Sequence, residues 1–220
     1  MDLHFVRDAD PNPAPGPDHK AGLLLCSVVI DTRVRPRVTR FLEPIGKALA
    51  SIGVTPTAMT AVGLATVIVG SIVISTGALR SGAVIVLVGS ILDGLDGSVA
   101  RAAGMVTARG AFLDSVFDRM GEIAAFAGLG VAIARETGDQ AALLLIVLAI
   151  GGAMLVPYIR SRAEVEGFNG KAGLMGRAER VLLFTIGLLL GLVEPMLWIF
   201  VILVWITALM RFIDTYRSFE

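Results

Sequence analysis

Between positions 93 and 118 four aspartates, Asp93, Asp96, Asp114 and Asp118, interrupt segments that are otherwise apolar enough to cross a bilayer. Charge in that setting is expensive and must be compensated. On helices, Asp93 and Asp96 stand three positions apart and Asp114 and Asp118 four apart, so each pair projects from one face of its own helix. Two such helices could aim four oxygen ligands at one point, where like charges would take up protons unless a cation held them ionised. Hard divalent cations take oxygen ligands, and magnesium is usually held by a few carboxylates together with substrate phosphates. The constellation therefore points to a metal site and a phosphorylated substrate. Gly94, Gly97, Ala100, Gly104 and Gly110 keep bulk off the surface nearby, so a ligand or a neighbouring backbone can approach. Arg101 and Arg109 add positive charge beside it.

Apolar residues make up 55% of the 220, and several runs approach or exceed the ~18 residues of a spanning candidate, so the chain is expected to be an integral membrane protein. The formal net charge is zero, which removes any bulk electrostatic case for nucleic acid. A single cysteine, Cys26, excludes an intrachain disulfide framework. His4 and His19 have no clustered metal-ligating partners.

Residues 1–30 begin with a proline-rich polar stretch and read as a poorly structured tail without a signal peptide. Over 31–52, Arg33, Arg35, Arg37, Arg40 and Lys47 alternate with Val34, Val38, Phe41, Leu42, Ile45 and Leu49, the pattern of an amphipathic helix lying in the membrane interface. Residues 53–220 form the membrane domain. Pro56 is placed to open the first span, and six spans are expected at about 56–76, 82–103, 111–134, 141–162, 181–192 and 195–213. The fifth is short and is expected to extend back through 178–180. Arginines fall between spans two and three, between four and five, and at both ends, which puts the termini and the carboxylates on the cytoplasmic side of the cell membrane. The fold class is an all-α membrane protein of six transmembrane helices after an interfacial helix.

The order D-x-x-D-G-x-x-A-R, eight residues, G, three residues, D, three residues, D is filled by Asp93, Asp96, Gly97, Ala100, Arg101, Gly110, Asp114 and Asp118. It resembles the motif of the CDP-alcohol phosphatidyltransferases. The resemblance implies transfer of a phosphatidyl group from a CDP-linked lipid such as CDP-diacylglycerol to a small alcohol, with release of CMP. It implies that Asp93, Asp96, Asp114 and Asp118 hold Mg2+ or Mn2+, two ions in all, and that Asp118 also serves as general base. It further implies that Gly97, Ala100, Arg101, Thr107 and Gly110, with Asp93, Asp96 and Asp114, bind the CDP group, and that the protein is a homodimer. The opening TPTAMT is similar to the family's TPN-x-x-T, with Thr57 in place of asparagine; Thr57 and Thr60 are read as phosphate contacts or as local helix hydroxyls.

The segments YIRSRAE and GLMGRAER resemble those of phosphatidylinositol phosphate synthases and their archaeal counterparts, which implies that Arg160, Arg177 and Arg180 bind the phosphate of inositol 1-phosphate. Arg160 stands where lysine is usual, and Gly176 replaces a glutamate. A phosphatidylglycerophosphate synthase using glycerol 3-phosphate is the alternative within the class. An ion-coupled transporter is the alternative outside it, opposed by the gathering of the acids near one membrane face. A catalytically inactive assembly subunit would leave the complete motif without a purpose.

Overall fold

The computed structural model describes residues 44, 46–49, 51–170 and 172–219. The tail expected at 1–30 lies outside the described residues, as does most of the amphipathic segment at 31–52. Six helices follow: α1 (Pro56–Ser75), α2 (Leu79–Ala103), α3 (Ala108–Glu136), α4 (Gln140–Val165), α5 (Arg177–Leu190) and α6 (Val193–Arg217).

Local chemistry sets the boundaries. The Thr55 hydroxyl caps α1 by accepting from the Ala58 amide at 3.2 Å, and Pro56 occupies the first turn, where a missing N–H is harmless. α2 stops at Gly104, which adopts the left-handed conformation at φ 65° and lets the following amide bond back to Ala100 O. Three residues later the Thr107 hydroxyl accepts from Gly110 N at 3.0 Å and starts α3. Asp139 caps α4 in the same way. Arg177 begins α5, so that helix does reach back beyond 178.

Among the described residues four helices, α1, α2, α4 and α6, are long and apolar enough to cross a membrane. α3 is 29 residues long but carries Asp114, Asp118, Arg119 and Glu122. α5 has 14 residues, about 21 Å of helix against a hydrocarbon layer of about 30 Å. Exposed positions such as Val69, Ile72, Val88, Ile91, Ile199 and Ile202 keep the outer surface apolar, as a bundle solvated by lipid requires.

Helix contacts run in a closed cycle: α1 packs on α2 and α3, α5 on α2 and α6, and α4 on α3 and α6, while α2 and α3 touch little. Its centre is filled by Phe126, Phe184 and Phe200, whose rings meet edge to face at centroid distances of 4.9 and 4.7 Å. Glycine makes the α1–α2 seam. A Cβ on Gly63 would lie 2.8 Å from Asp93 Cβ, and one on Gly89 would lie 2.9 Å from the Val67 amide nitrogen. Such proximity replaces hydrophobic driving force with backbone-close packing, the usual device between helices in lipid. α1 is tied to α3 by the Ser71 hydroxyl, which donates to Ala124 O. Upstream, the helical residues 46–49 bring Gly46 against the Ser98 backbone and Leu49 onto a small cluster of Met59, Leu95 and Val99.

Candidate active site and metal centre

The cycle of helices leaves a cleft where the ends of α2, α3 and α5 approach one another. It is lined at its polar end by Asp93, Asp118, Glu122, Arg177 and Arg180, and it runs down to the three phenylalanines. α2 delivers Asp93, which is buried because the α1 backbone at Gly63 presses against its main chain. α3 delivers Asp114 and Asp118, one turn apart. Carboxylate oxygens of Asp93, Asp114 and Asp118 all lie within 4.8 Å of one another.

Asp96, one turn after Asp93, is oriented by a neighbour. The Thr60 hydroxyl of α1 stands 2.8 Å from Asp96 Oδ2, and 3.0 Å from its own helix carbonyl at Pro56. Thr60 thus serves the carboxylate, whereas Thr57 is exposed.

Three cations meet the carboxylates or lie beside them. Arg177 Nη2 is 2.5 Å from Asp93 Oδ2 and 2.7 Å from Asp118 Oδ1, so one nitrogen links α2 to α3. Arg119 reaches Asp118 Oδ2 at 3.2 Å. Arg180 is buried and grips Glu122 with two donors, Nε to Oε1 at 2.5 Å and Nη2 to Oε2 at 3.2 Å. Arg160, placed with these two by sequence, is exposed and pairs with Glu164 on its own helix at 2.8 Å.

The positions expected to receive a nucleotide form the surface around the α2–α3 turn. Among the described residues, a Cβ on Gly97 would meet only the Arg101 guanidinium, at 3.4 Å, and one on Gly110 only the Thr107 hydroxyl, at 3.2 Å. Among the described residues, a Cβ on Gly94 would meet nothing within 4 Å, and Gly104 acts as the helix cap, so neither serves packing between the described helices. Arg101 is exposed and donates to Ser98 Oγ at 3.3 Å, and Ala100 is half-buried. Glycines at 63 and 89 are thus committed to packing against another helix, while those at 97 and 110, among the described residues, stand opposite side chains of their own local segment.

This donor set suits a hard divalent cation. It is all carboxylate, its oxygens converge, and Asp118 Oδ1 is buried without a hydrogen bond despite its proximity to Arg177. Two site residues escaped sequence reasoning. Glu122 extends the Asp114–Asp118 spacing by one further turn, a signal present in the sequence. Arg211, buried on α6, donates to Ala172 O at 2.8 Å and Val156 O at 3.0 Å, and so holds the segment leading into α5.

A family model for CDP-alcohol phosphatidyltransferase matches residues 53–213. The archaetidylinositol phosphate synthase of Pyrococcus horikoshii is 33% identical over 190 residues, covering 86% of this chain and 98% of that protein. A crystal structure of Mycobacterium tuberculosis phosphatidylinositol phosphate synthase with CDP-DAG bound aligns with a TM-score of 0.75 at 28% identity, over 80% of this chain and 94% of the other. The same enzyme in complex with manganese and citrate gives a TM-score of 0.75 at 28% identity, over 80% and 88%.

Proposed function

Since the chain belongs to the CDP-alcohol phosphatidyltransferase family, a class of membrane transferases, we propose that it moves a phosphatidyl group from CDP-diacylglycerol to inositol 1-phosphate. CMP leaves, and phosphatidylinositol phosphate is the product. The observation that carries this reading is the meeting of Asp93, Asp114 and Asp118 with Arg177, because it joins a metal-binding group to a phosphate-binding one in a single cleft.

Asp93, Asp96, Asp114 and Asp118 hold Mg2+ or Mn2+, two ions when loaded, with Asp96 steered by Thr60. Bound there, the metal supplies Lewis-acid polarisation of the phosphorus and charge neutralisation for the departing CMP oxygen. Gly97, Ala100, Arg101, Thr107 and Gly110 receive the nucleotide, the bare glycine surfaces allowing flat contact. Asp118 accepts the proton of the attacking inositol hydroxyl as the new oxygen–phosphorus bond forms and the bond to CMP breaks. Arg177, Arg180 and Arg160 attract the acceptor phosphate, and orientation by this grip places the hydroxyl in line. Arg180 is held in its rotamer by Glu122.

The same reading has six spans, an interfacial helix upstream, a homodimer, and both termini and the cleft on the cytoplasmic side. The short α5 fits a helix that begins at the site rather than at the bilayer edge.

The test is an acceptor panel with purified protein, CDP-diacylglycerol and Mg2+, measuring CMP release with inositol 1-phosphate, glycerol 3-phosphate, serine and free inositol. Release with inositol 1-phosphate alone is expected. Release with glycerol 3-phosphate alone would instead identify a phosphatidylglycerophosphate synthase, because arginines recognise any phosphomonoester.

A further inference from the structure

We infer that Arg177 and a divalent cation compete for one position, so that metal binding releases Arg177 to the acceptor phosphate; this rests on the assignment of the carboxylates to metal and of Arg177 to the acceptor. Arg177 Nη2 lies within 2.7 Å of oxygens from both Asp93 and Asp118. Those two residues belong to the trio whose oxygens converge within 4.8 Å. A magnesium ion held by these carboxylates would need oxygens at about 2.0–2.1 Å, which leaves no room for the guanidinium nitrogen beside the same oxygens. Both cannot be there together.

Arg177 is also the group free to move. Its side chain is 37% exposed, against 4% for Arg180. Arg180 has two donors fixed on Glu122, a partner outside the metal set, so metal entry leaves it where it is. Without metal, Arg177 neutralises carboxylates packed against one another. With metal, that neutralisation passes to the ion, and the displaced guanidinium becomes available to an anion at the mouth of the cleft. Coupling of this kind is reciprocal, so whatever Arg177 contributes to the metal-free protein weakens metal binding by the same factor.

The experiment uses the full chain in detergent with neither lipid donor nor acceptor. Mn2+ affinity is measured by electron paramagnetic resonance for wild type and Arg177→Gln. The variant should bind Mn2+ about tenfold more tightly, the equivalent of losing one competing charge-assisted hydrogen bond. In wild type, phenylglyoxal labelling of Arg177, read by mass spectrometry, should rise on Mn2+ addition while that of Arg180 stays constant; this holds even if the variant folds poorly. Unchanged or weaker Mn2+ affinity in folded Arg177→Gln, or labelling insensitive to metal, overturns the inference. An acceptor panel favouring glycerol 3-phosphate would overturn the inositol assignment and leave the competition intact, so the two failures are distinct.

Discussion

The hydroxyl of Thr60 on α1 stands 2.8 Å from Asp96 Oδ2 on α2, a contact across 36 positions of sequence that orients a motif carboxylate from outside the motif. Removing such an outer partner typically weakens metal affinity or activity by about 10–100-fold. Thr60→Val should do so in a Mn2+ titration with little change in size or folding. Thr60→Ser, which keeps the hydroxyl, should restore most of the affinity.

Gly97 lies inside α2, and among the described residues a Cβ there would meet only the end of the Arg101 side chain at 3.4 Å, so alanine should not hurt the fold. Replacing an interior helical glycine stabilises by about 0.5–1 kcal/mol. Gly97→Ala should therefore melt at or slightly above the wild-type temperature and yet bind CDP-diacylglycerol at least roughly tenfold more weakly, the size of one lost good contact. A variant that melts lower would place Gly97 with the packing glycines.

Gly63 is the counterpart. A methyl group there would press on Asp93, and overpacking of a tight core costs about 1–3 kcal/mol. Gly63→Ala should lower the melting temperature and disturb Mn2+ binding at the same time, because the group displaced is one of the three carboxylates whose oxygens converge.

Asp118→Asn keeps the shape of the side chain and removes its basicity. Transfer, followed as CMP release, should fall at least about a hundredfold if Asp118 is the general base proposed above. Chelation of the wild type with EDTA should abolish release, and added Mg2+ or Mn2+ should restore it; neither ion should rescue Asp118→Asn.

Arg180 is buried and its partner Glu122 half-buried, and removal of one partner from a buried pair costs about 3–5 kcal/mol because the other charge is stranded. Glu122→Ala should thus destabilise the protein strongly in thermal unfolding. Joint replacement by leucine at both positions should recover part of that stability while still raising KM for the acceptor, which separates the positioning of Arg180 from its packing.

The helices were legible because apolar runs and the punctuating Pro56 mark them directly, whereas the left-handed caps at Gly104 and Gly191 show only in the structure. The carboxylates were legible because one-turn spacing puts each pair on a face. What spacing could not give was the company each group keeps. Arg180 reads as a ligand for the acceptor phosphate in a basic segment, with no sign of its partner Glu122, 58 positions away on another helix. Thr60 reads as a local helix hydroxyl or a phosphate contact until α1 is laid against α2. Gly63 drew no notice in the sequence, yet a Cβ there would press on the Asp93 backbone, whereas one on the motif residue Gly97 would meet the end of the Arg101 side chain.

Arg177 enters α5 from an irregular stretch rather than from a helix of its own, and that stretch is secured from the far end of the chain. Arg211 holds Ala172, and the Thr207 hydroxyl accepts from the Met175 amide at 3.2 Å. The rotational setting of α6 is thereby an active-site parameter. A one-residue insertion upstream of Thr207 would turn both anchors by about 100° and move the guanidinium, although no residue near the aspartates had changed.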